Sequence, residues 1–468
     1  MATGTPTSLI ADFIAAVLRA RPDLRPPHSK RGSVVPLALR LNALLLFAAW
    51  FPLALSAGES APGPAALGSG LTAAKGPVPE ALPAPAVTCA GAYTAEVIGV
   101  AVGGRRRGAV YQALAEAAVE ADLGALVGAP AGTVLRVSGI FPHGGDFSGT
   151  HLGDLQGASN IAAHHAPSLY ECWLATELAG GRLTLRAGRL VAENDFATTE
   201  SGGVFLNSSF GWPAFISTNT CNTGPAFDRS ALGIQAAFGP TDQITLRAGL
   251  YDGDTLDDPA GDPARHPHGL HFELDDNQGA FALAELGVMW PAGPAAPDRP
   301  GGFKVGAWIH TADFADLSDP VRNHRGNYGV YFLVEQLLWP ERGASSGTGA
   351  TQGLTGFART GFSPGDRNLY SQTADAGLSY LGLLPGRPGD TLGFGLAWAR
   401  LSGGLRQAER TAGASVASDQ EVVVELCYQL ALRDQWSLSP DLQWIVHPGG
   451  SRALGDALVL GLRTRRDF

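Results

Sequence analysis

Apolar and polar side chains alternate residue by residue along most of the chain after Cys89. In segment 243–251, Ile244, Leu246, Ala248 and Leu250 are each separated by one residue that is polar or glycine. The same pattern occurs in segments 182–190, 391–400 and 421–430. Side chains that alternate with a period of two lie on opposite faces of a β-strand. The chain after Cys89 is therefore predicted to be all-β.

Composition and charge placement favour a membrane barrel over a soluble β-sandwich, which would show the same alternation. Charged residues make up only 16% of the chain, against about 25% in typical soluble proteins. Mid-strand charges such as Arg186, Arg247 and Glu425 fall on the polar face, which a barrel turns towards a wet lumen. Aromatic residues on the apolar face suit interfacial girdles; they are Trp290, Trp398, Tyr428 and Trp436. We predict a transmembrane antiparallel β-barrel.

The connections between the predicted strands alternate in length. Sixteen segments fit strands, the first near 90–102 and the last near 455–468. Short connections near 180–181 and 239–242 alternate with long ones at 191–228 and 253–278. Outer-membrane barrels have this asymmetry, with short periplasmic turns and long extracellular loops. Segment 122–127 is predicted to form one helical turn.

The first part of the chain has the pattern of an export signal. The apolar run Ala43–Ala57 follows Arg31 and Arg40 and is followed by small residues. We predict a signal or leader region over 1–58, a disordered Ala/Pro-rich segment over 59–87, and the barrel over 88–468. Because the charged part is long, either translation starts downstream of Met1 or the leader is extended.

The last residue, Phe468, continues the apolar phase of Leu458, Leu460 and Leu462. A terminal aromatic residue after an alternating strand resembles the signal that the outer-membrane assembly machinery reads. Phe468 is therefore the predicted assembly signal.

Several longer stretches resemble the OprB family of carbohydrate-selective porins. They include GRLVAENDFA at 188–197, FLNSSFGWP at 205–213, LRAGLYDGD at 246–254, FKVGAWIHTADF at 303–314 and RGNYGVYFLVEQLLW at 325–339. The resemblance extends from about Gly91 to Phe468 and implies a sixteen-stranded pore that favours sugars. It does not cover the first 85 or so residues.

The third long loop, near 191–228, is the predicted constriction, because the third loop of sixteen-stranded porins commonly folds into the lumen. Its acids and amides can hydrogen-bond sugar hydroxyls, and an aromatic ring can stack on a sugar face. The candidates are Glu193, Asp195, Asn207 and Trp212. A solvated extracellular loop is the alternative, and Asp195 and Asn207 could instead cap turns.

The predicted wall beside this loop is basic. Arg186, Arg229, Arg247 and Lys304 fall on the expected lumen face, and acids such as Glu285, Asp375 and Glu425 fall on the same face elsewhere. Opposed charges across a pore create a transverse field and a filter. Salt bridges that stiffen the wall are the alternative.

Other function classes find little support. The net charge of −10 argues against nucleic-acid binding. No catalytic constellation, phosphate loop or zinc motif occurs, and the four cysteines give no disulfide framework. The histidines near 266–271 favour a surface loop over a metal site, and nothing fixes the geometry of acid pairs such as Asp257-Asp258 for Ca²⁺. We expect no enzyme activity, cofactor or metal.

The sequence thus predicts a porin in the bacterial outer membrane for passive diffusion of carbohydrates and other small polar solutes. The expected partners are those solutes, outer-membrane lipid and the assembly machinery, and the sequence allows a homo-oligomer. The alternative is a structural or adhesive outer-membrane barrel without significant solute flux.

Overall fold

The computed structural model describes residues 85–258, 260–274, 278–290, 299–319, 321–345, 351–413, 419–433 and 435–468. The predicted signal region 1–58 and nearly all of the lead-in 59–87 lie outside these residues. Sixteen strands form one closed antiparallel barrel, which confirms the predicted fold class. Each strand is paired with its neighbours in sequence, and β1 is paired with β16, where Val97 lies opposite Leu462.

The strands have the following bounds: β1 Val87–Val102, β2 Gly108–Asp122, β3 Val134–Gly144, β4 Ser168–Leu178, β5 Leu183–Leu190, β6 Ala231–Thr241, β7 Ile244–Asp252, β8 Ala280–Trp290, β9 Gly301–Ala315, β10 Asn323–Ser345, β11 Thr351–Phe362, β12 Tyr370–Leu381, β13 Thr391–Leu401, β14 Gln420–Ala431, β15 Trp436–Val446 and β16 Ala457–Asp467. Within the described ranges, three α-helices lie in connections: α1 Leu123–Val127, α2 Ala214–Ser217 and α3 Gly403–Thr411. The helical turn predicted at 122–127 is therefore confirmed as α1. Among the described residues, no helix has the length and apolar character that a membrane crossing would require.

The two ends of the barrel carry connections of different length. The longest, at 145–167, 191–230 and 253–279, lie at one end, which also carries short ones such as 103–107. The other end carries the short turns 179–182 and 242–243 and the longer connection 123–133. Strand β6 begins at Ala231, so Arg229 lies in the preceding loop and not on the strand where the sequence placed it. The strand positions follow the alternation. Arg229 shows that the alternation of apolar and polar residues can extend beyond the first hydrogen-bonded residue of a strand.

The two faces of the strands differ as the alternation predicts. In β13, Gly395 and Ala397 are buried on the inner face, whereas Phe394 and Leu396 are exposed on the outer face. Trp290 and Trp436 lie at the short-turn ends of their strands, and Trp398 lies near the opposite end of β13. Trp290 Nε1 donates to Gln336 Oε1 at 3.0 Å. An outward apolar band bordered by aromatic residues suits contact with lipid and its interfaces.

Candidate pore constriction

The loop 191–230 lies inside the barrel. The backbone N–H groups of Leu206 and Asn207 donate to the carboxylate of Glu425 on β14, at 2.6 and 3.1 Å. Glu425 is fully buried on the inner face of its strand. Because the loop leaves the wall at β5 and returns at β6, these bonds require it to cross the lumen.

Side chains from four further strands hold the same loop. Glu285 on β8 accepts from Ala197 N at 2.8 Å, and Glu335 on β10 accepts from Ser201 N at 2.7 Å. Lys304 on β9 donates to Thr198 O at 2.7 Å. Arg359 on β11 donates to the carbonyl oxygens of Ala197, Gly211 and Ser209. Carboxylates bind backbone N–H groups and cations bind backbone carbonyls, so the wall fixes the loop by charge-assisted hydrogen bonds.

A second loop, 145–167, also lies against the inner wall, which the sequence did not predict. Leu155 N and Gln156 N donate to Glu421 on β14, at 3.0 and 2.9 Å. This loop contacts the first one directly, since Asn160 N donates to Leu206 O at 2.8 Å. The lumen is therefore narrowed by two loops that support each other.

Arg186 and Asp195, both predicted pore residues, form an ion pair. Arg186 Nη1 lies 2.8 Å from Asp195 Oδ2, and the same nitrogen donates to Gln235 Oε1 at 3.2 Å. The guanidinium carbon lies 4.7 Å from the ring centre of Trp173, a cation–π contact that fixes the guanidinium plane. Burial raises the pKa of Asp195, although the adjacent Arg186 and Arg247 guanidinium groups oppose that rise.

Arg247 lies beside this pair. Its Nη1 is 3.4 Å from Glu285 Oε1 on the neighbouring strand, where the two residues are in register. A small cavity that is open to solvent is lined by Thr184, Arg186, Asp195, Phe196, Gln235, Ala236, Ala237, Arg247 and Ala248. The structure thus brings together three of the residues that the sequence singled out for the pore.

The other candidates, except Arg229, bind the backbone of the loop. Lys304 binds Thr198, as described above, and Arg229 is buried with its Nε 3.6 Å from Asp228 Oδ2. Glu193 is half-buried and accepts from Phe227 N at 2.7 Å. Burial raises the pKa of the Glu193 carboxyl, while backbone N–H groups bonded to it oppose the rise.

Asn207 and Trp212 are buried. The Asn207 side chain accepts from Ser209 N at 3.0 Å at the start of a 3₁₀ turn, which is the capping alternative considered for it. Trp212 is 6% exposed, and its Nε1 donates to Thr223 O at 3.0 Å. In this arrangement neither side chain presents a free face to a solute.

Sequence reasoning missed several residues that hold the loops, above all Arg359, Glu335, Glu421 and Gln443. Each is on the inward phase of its strand, a signal that the alternation already contained. The predicted wall acids Glu285, Asp375 and Glu425 do face inwards, but they are buried beneath the loops. We expected inward charges to face the water-filled lumen, because the sequence does not indicate which of them a loop covers.

Histidine, cysteine and acidic side chains are spread over the described residues. No group of three or more His, Cys, Asp or Glu side chains there has the arrangement of a metal site. His266 and His271 lie with ring centres 4.7 Å apart in the loop after β7. The cysteines Cys89, Cys172, Cys221 and Cys427 are all free.

A closed sixteen-stranded barrel with an apolar outer face and loops folded into its lumen defines an outer-membrane channel of the porin class. The family model of the carbohydrate-selective porins, OprB family, matches residues 106–468. The chain belongs to that family.

Individual relatives agree with this assignment. Porin B of Pseudomonas aeruginosa is 23% identical over 328 residues, which are 64% of this chain and 68% of that protein. A putative porin, QuiX, of Acinetobacter baylyi is 27% identical over 212 residues, 42% of this chain and 47% of that protein. The high-pH structure of Pseudomonas putida OprB superposes with a TM-score of 0.72 at 19% identity, and covers 82% of this chain and 94% of its own. The protein is therefore a porin of the bacterial outer membrane, in a family that is selective for carbohydrates.

Proposed function

We propose that Arg186, Asp195 and Arg247 form the filter through which this porin selects neutral sugars. The observation that carries the proposal is the cavity that all three side chains line. Two guanidinium groups supply donors on the wall, and the Asp195 carboxylate supplies acceptors on the loop. This is the pairing that a sugar hydroxyl, which both donates and accepts, can use.

The energetics favour passage over tight binding. A sugar entering the constriction loses water and regains hydrogen bonds to charged groups, each contributing about 1.5–3 kcal/mol. Because the filter charges already bind each other, a sugar must compete with the Arg186–Asp195 pair and gains only part of that value. Several weak contacts let a solute enter and also leave.

The remaining candidates have supporting roles in this proposal. Glu193, Asn207, Trp212 and Lys304 hold the loop through the contacts described above, Arg229 pairs with Asp228, and none of the five touches the solute. In the same proposal, the outer face of the barrel contacts lipid. The assembly machinery recognises the C-terminal strand with Phe468. The porin forms a homo-oligomer. We assign no catalysis to the barrel.

Single-channel recording of the Arg186→Ala and Arg247→Ala variants, with and without glucose, tests the filter. Each variant should raise conductance modestly and shift ion preference towards cations, because a positive charge leaves the narrowest section. Glucose block should weaken by up to about tenfold, the equivalent of one lost hydrogen bond to a charged group. A liposome-swelling series with sugars of graded size would then define which sugars pass.

Arg107→Ala is the matched control, since Arg107 is exposed in the turn between β1 and β2. It should leave conductance and glucose block close to the parental values. Parental conductance, block and reversal potential in both filter variants would remove Arg186 and Arg247 from the filter. The loop would then be tested through Asp195→Asn and Glu193→Gln.

A structural or adhesive barrel with little flux is the second candidate, and one observation favours it. Two clusters of buried apolar residues lie where the loops meet the inner wall, one around Phe205 and Phe210 and the other around Phe196 and Phe215. They narrow the lumen. Planar-bilayer recording of the parent protein separates the two candidates, because the structural one requires no conductance.

A further inference from the structure

Arg359 on β11 is 2% exposed, yet it makes four hydrogen bonds from a single guanidinium group. Its Nε donates to Asp375 Oδ1 at 3.0 Å on the adjacent strand β12, where the two residues are in register. Nη1 donates to Ala197 O at 2.6 Å and to Gly211 O at 2.9 Å, and Nη2 donates to Ser209 O at 2.7 Å.

The ion pair and the loop contacts of Arg359 are separate interactions. Asp375 belongs to the wall and balances the charge of Arg359 there. The three carbonyl groups belong to the loop 191–230, and the remaining donors of the planar guanidinium group bind them. A planar fork with donors in fixed directions can hold three carbonyls at once, which a single ammonium group cannot reproduce.

Ala197 is held from both sides by opposite charges. Its N–H donates to Glu285 Oε2 at 2.8 Å, and its carbonyl oxygen accepts from Arg359. Its φ of +56° is one that residues other than glycine rarely adopt, so the backbone there needs support from its surroundings. Ala197 lies two residues after Asp195, so the position of one strongly limits the position of the other.

Glu285 connects this contact to the wall of the filter. Besides Ala197 N, it accepts from Tyr331 Oη at 2.7 Å and lies 3.4 Å from Arg247 Nη1. The same carboxylate therefore contacts the loop backbone and a proposed filter arginine. Displacement of the loop at Ala197 changes the surroundings of both Asp195 and Arg247.

We propose that Arg359 is a positioning residue that sets the aperture of the pore, by fixing the loop between Ala197 and Gly211 and so holding Asp195 opposite Arg186. This inference rests on the filter proposed above. Arg359 itself touches no solute, because it is buried beneath the loop. Its effect on selectivity is carried by the loop backbone.

The test is single-channel recording with and without glucose on the double variant Arg359→Met, Asp375→Asn. The second change avoids leaving a buried carboxylate without its partner, which would itself destabilise the wall. In assembled channels we expect higher conductance, increased open-channel noise and glucose block weakened by about tenfold, as for one misplaced hydrogen bond to a charged group. Arg359→Lys should shift all three in the same direction by a smaller amount.

The matched control is the double variant Arg387→Met, Asp390→Asn. This pair, with Arg387 Nη2 2.7 Å from Asp390 Oδ1, lies in the turn between β12 and β13 at the opposite end of the barrel from both constricting loops. It should lower thermal stability in detergent without changing conductance or block. Parental conductance and block in this control would show that losing an ion pair does not by itself produce the changes expected for the Arg359 double variant.

Parental conductance and glucose block in assembled channels of the double variant would overturn the proposal. If the double variant does not assemble, parental values in Arg359→Lys would overturn it equally. A failure of the positioning role can be distinguished from a failure of the proposed filter. Should Arg186→Ala and Arg247→Ala leave block unchanged while the Arg359 variants raise conductance, the filter assignment fails and the positioning role stands.

Discussion

Several charged side chains on the inner wall of this barrel bind the backbone of the loops. Glu425 receives two N–H groups and Glu421 receives three, from Leu155, Gln156 and Gly449. A buried carboxylate is tolerated when its oxygens are occupied in this way, and is costly when they are not. Buried inward charges such as Glu425 therefore hold the loops, whereas the charges of the proposed filter, Arg186 and Arg247, are less deeply buried.

In the described part of the chain, two acidic residues outside the strands, Asp154 and Asp257, lack such support. Both oxygens of Asp257, in the loop after β7, are buried without a hydrogen-bond partner, and Oδ2 lies 3.3 Å from His271 Nε2. Burial, with the adjacent Asp252 and Asp254, raises the pKa of Asp257 from 3.8 to about 7. Burial, with the adjacent Arg189, lowers the pKa of His271 from 6.5 to about 4.

These two shifts act on the stability of the ordered loop with opposite signs. The ordered loop binds the Asp257 proton more tightly than a disordered one, so its stability falls as the pH rises towards about 7. It binds the His271 proton less tightly, so its stability rises with pH between about 4 and 6.5. The two contributions cancel up to pH 6.5, above which only the loss from Asp257 remains.

The Asp257→Asn variant should therefore show the pH dependence of loop stability that His271 alone contributes. In the variant, hydrogen-exchange protection of the loop should increase between pH 4 and 6.5 by at most about tenfold per pH unit. In the parent, hydrogen-exchange protection of the loop should stay nearly constant between pH 4 and 6.5 and fall as the pH approaches 7. Asp242→Asn, exposed in the turn between β6 and β7, is the control. Parallel pH profiles in Asp257→Asn and the parent would contradict this account.

At the scale of elements, glycines on the inner face of three adjacent strands make room for the constricting loop. A Cβ added at Gly361 on β11 would lie 2.3 Å from the ring of Phe215, and one at Gly395 on β13 would lie 2.6 Å from Phe210 Cζ. Glycine on the inner face thus serves close packing against the rings of the loop. The alternation of glycine with Phe394 and Leu396 in β13 has this packing as its cause.

Gly395→Ala should displace the loop without unfolding the barrel. Overpacking of this kind costs about 1–3 kcal/mol, and the loop yields before the hydrogen-bonded wall does. We expect altered conductance and a lower temperature for the heat-induced shift in gel mobility. In Gly203→Ala, where the added Cβ meets nothing within 4 Å, both should remain parental. Identical conductance in the two variants would exclude this packing as a determinant of the aperture.

Strands and constriction differed in how far the sequence predicted them. The direction of a strand side chain depends only on local parity, so the barrel, its inward charges and its turn asymmetry followed from alternation. The pairing of Arg186 with Asp195 was accessible because nine residues separate them. The contacts of Arg359 with Ala197 and Gly211 were not, because they depend on where a loop settles after crossing the lumen.

At the scale of the whole molecule, Phe468 provides the clearest prediction. It follows β16 at the end of the chain, is 58% exposed, and lies in the outward phase of Leu460 and Leu462. Its deletion should lower the amount of assembled porin and leave the conductance of the assembled channels unchanged, because the residue contacts no solute. Phe468→Tyr, which keeps an aromatic ring, should assemble close to normally. Quantitative gel analysis of outer-membrane fractions measures the effect, and normal levels of the deletion variant would rule out the assembly role.

The pairing of β1 with β16 makes the barrel a ring closed by its two most distant strands. Folding such a chain requires contacts of the greatest possible sequence separation, which places it among topologies that form slowly. Until that last pairing forms, two strand edges present unpaired N–H and C=O groups, which hydrocarbon does not tolerate. In the membrane, a partly closed barrel is therefore destabilised at both of its open edges. Insertion and closure are expected to occur as a single concerted event. Partly conducting intermediates should not accumulate.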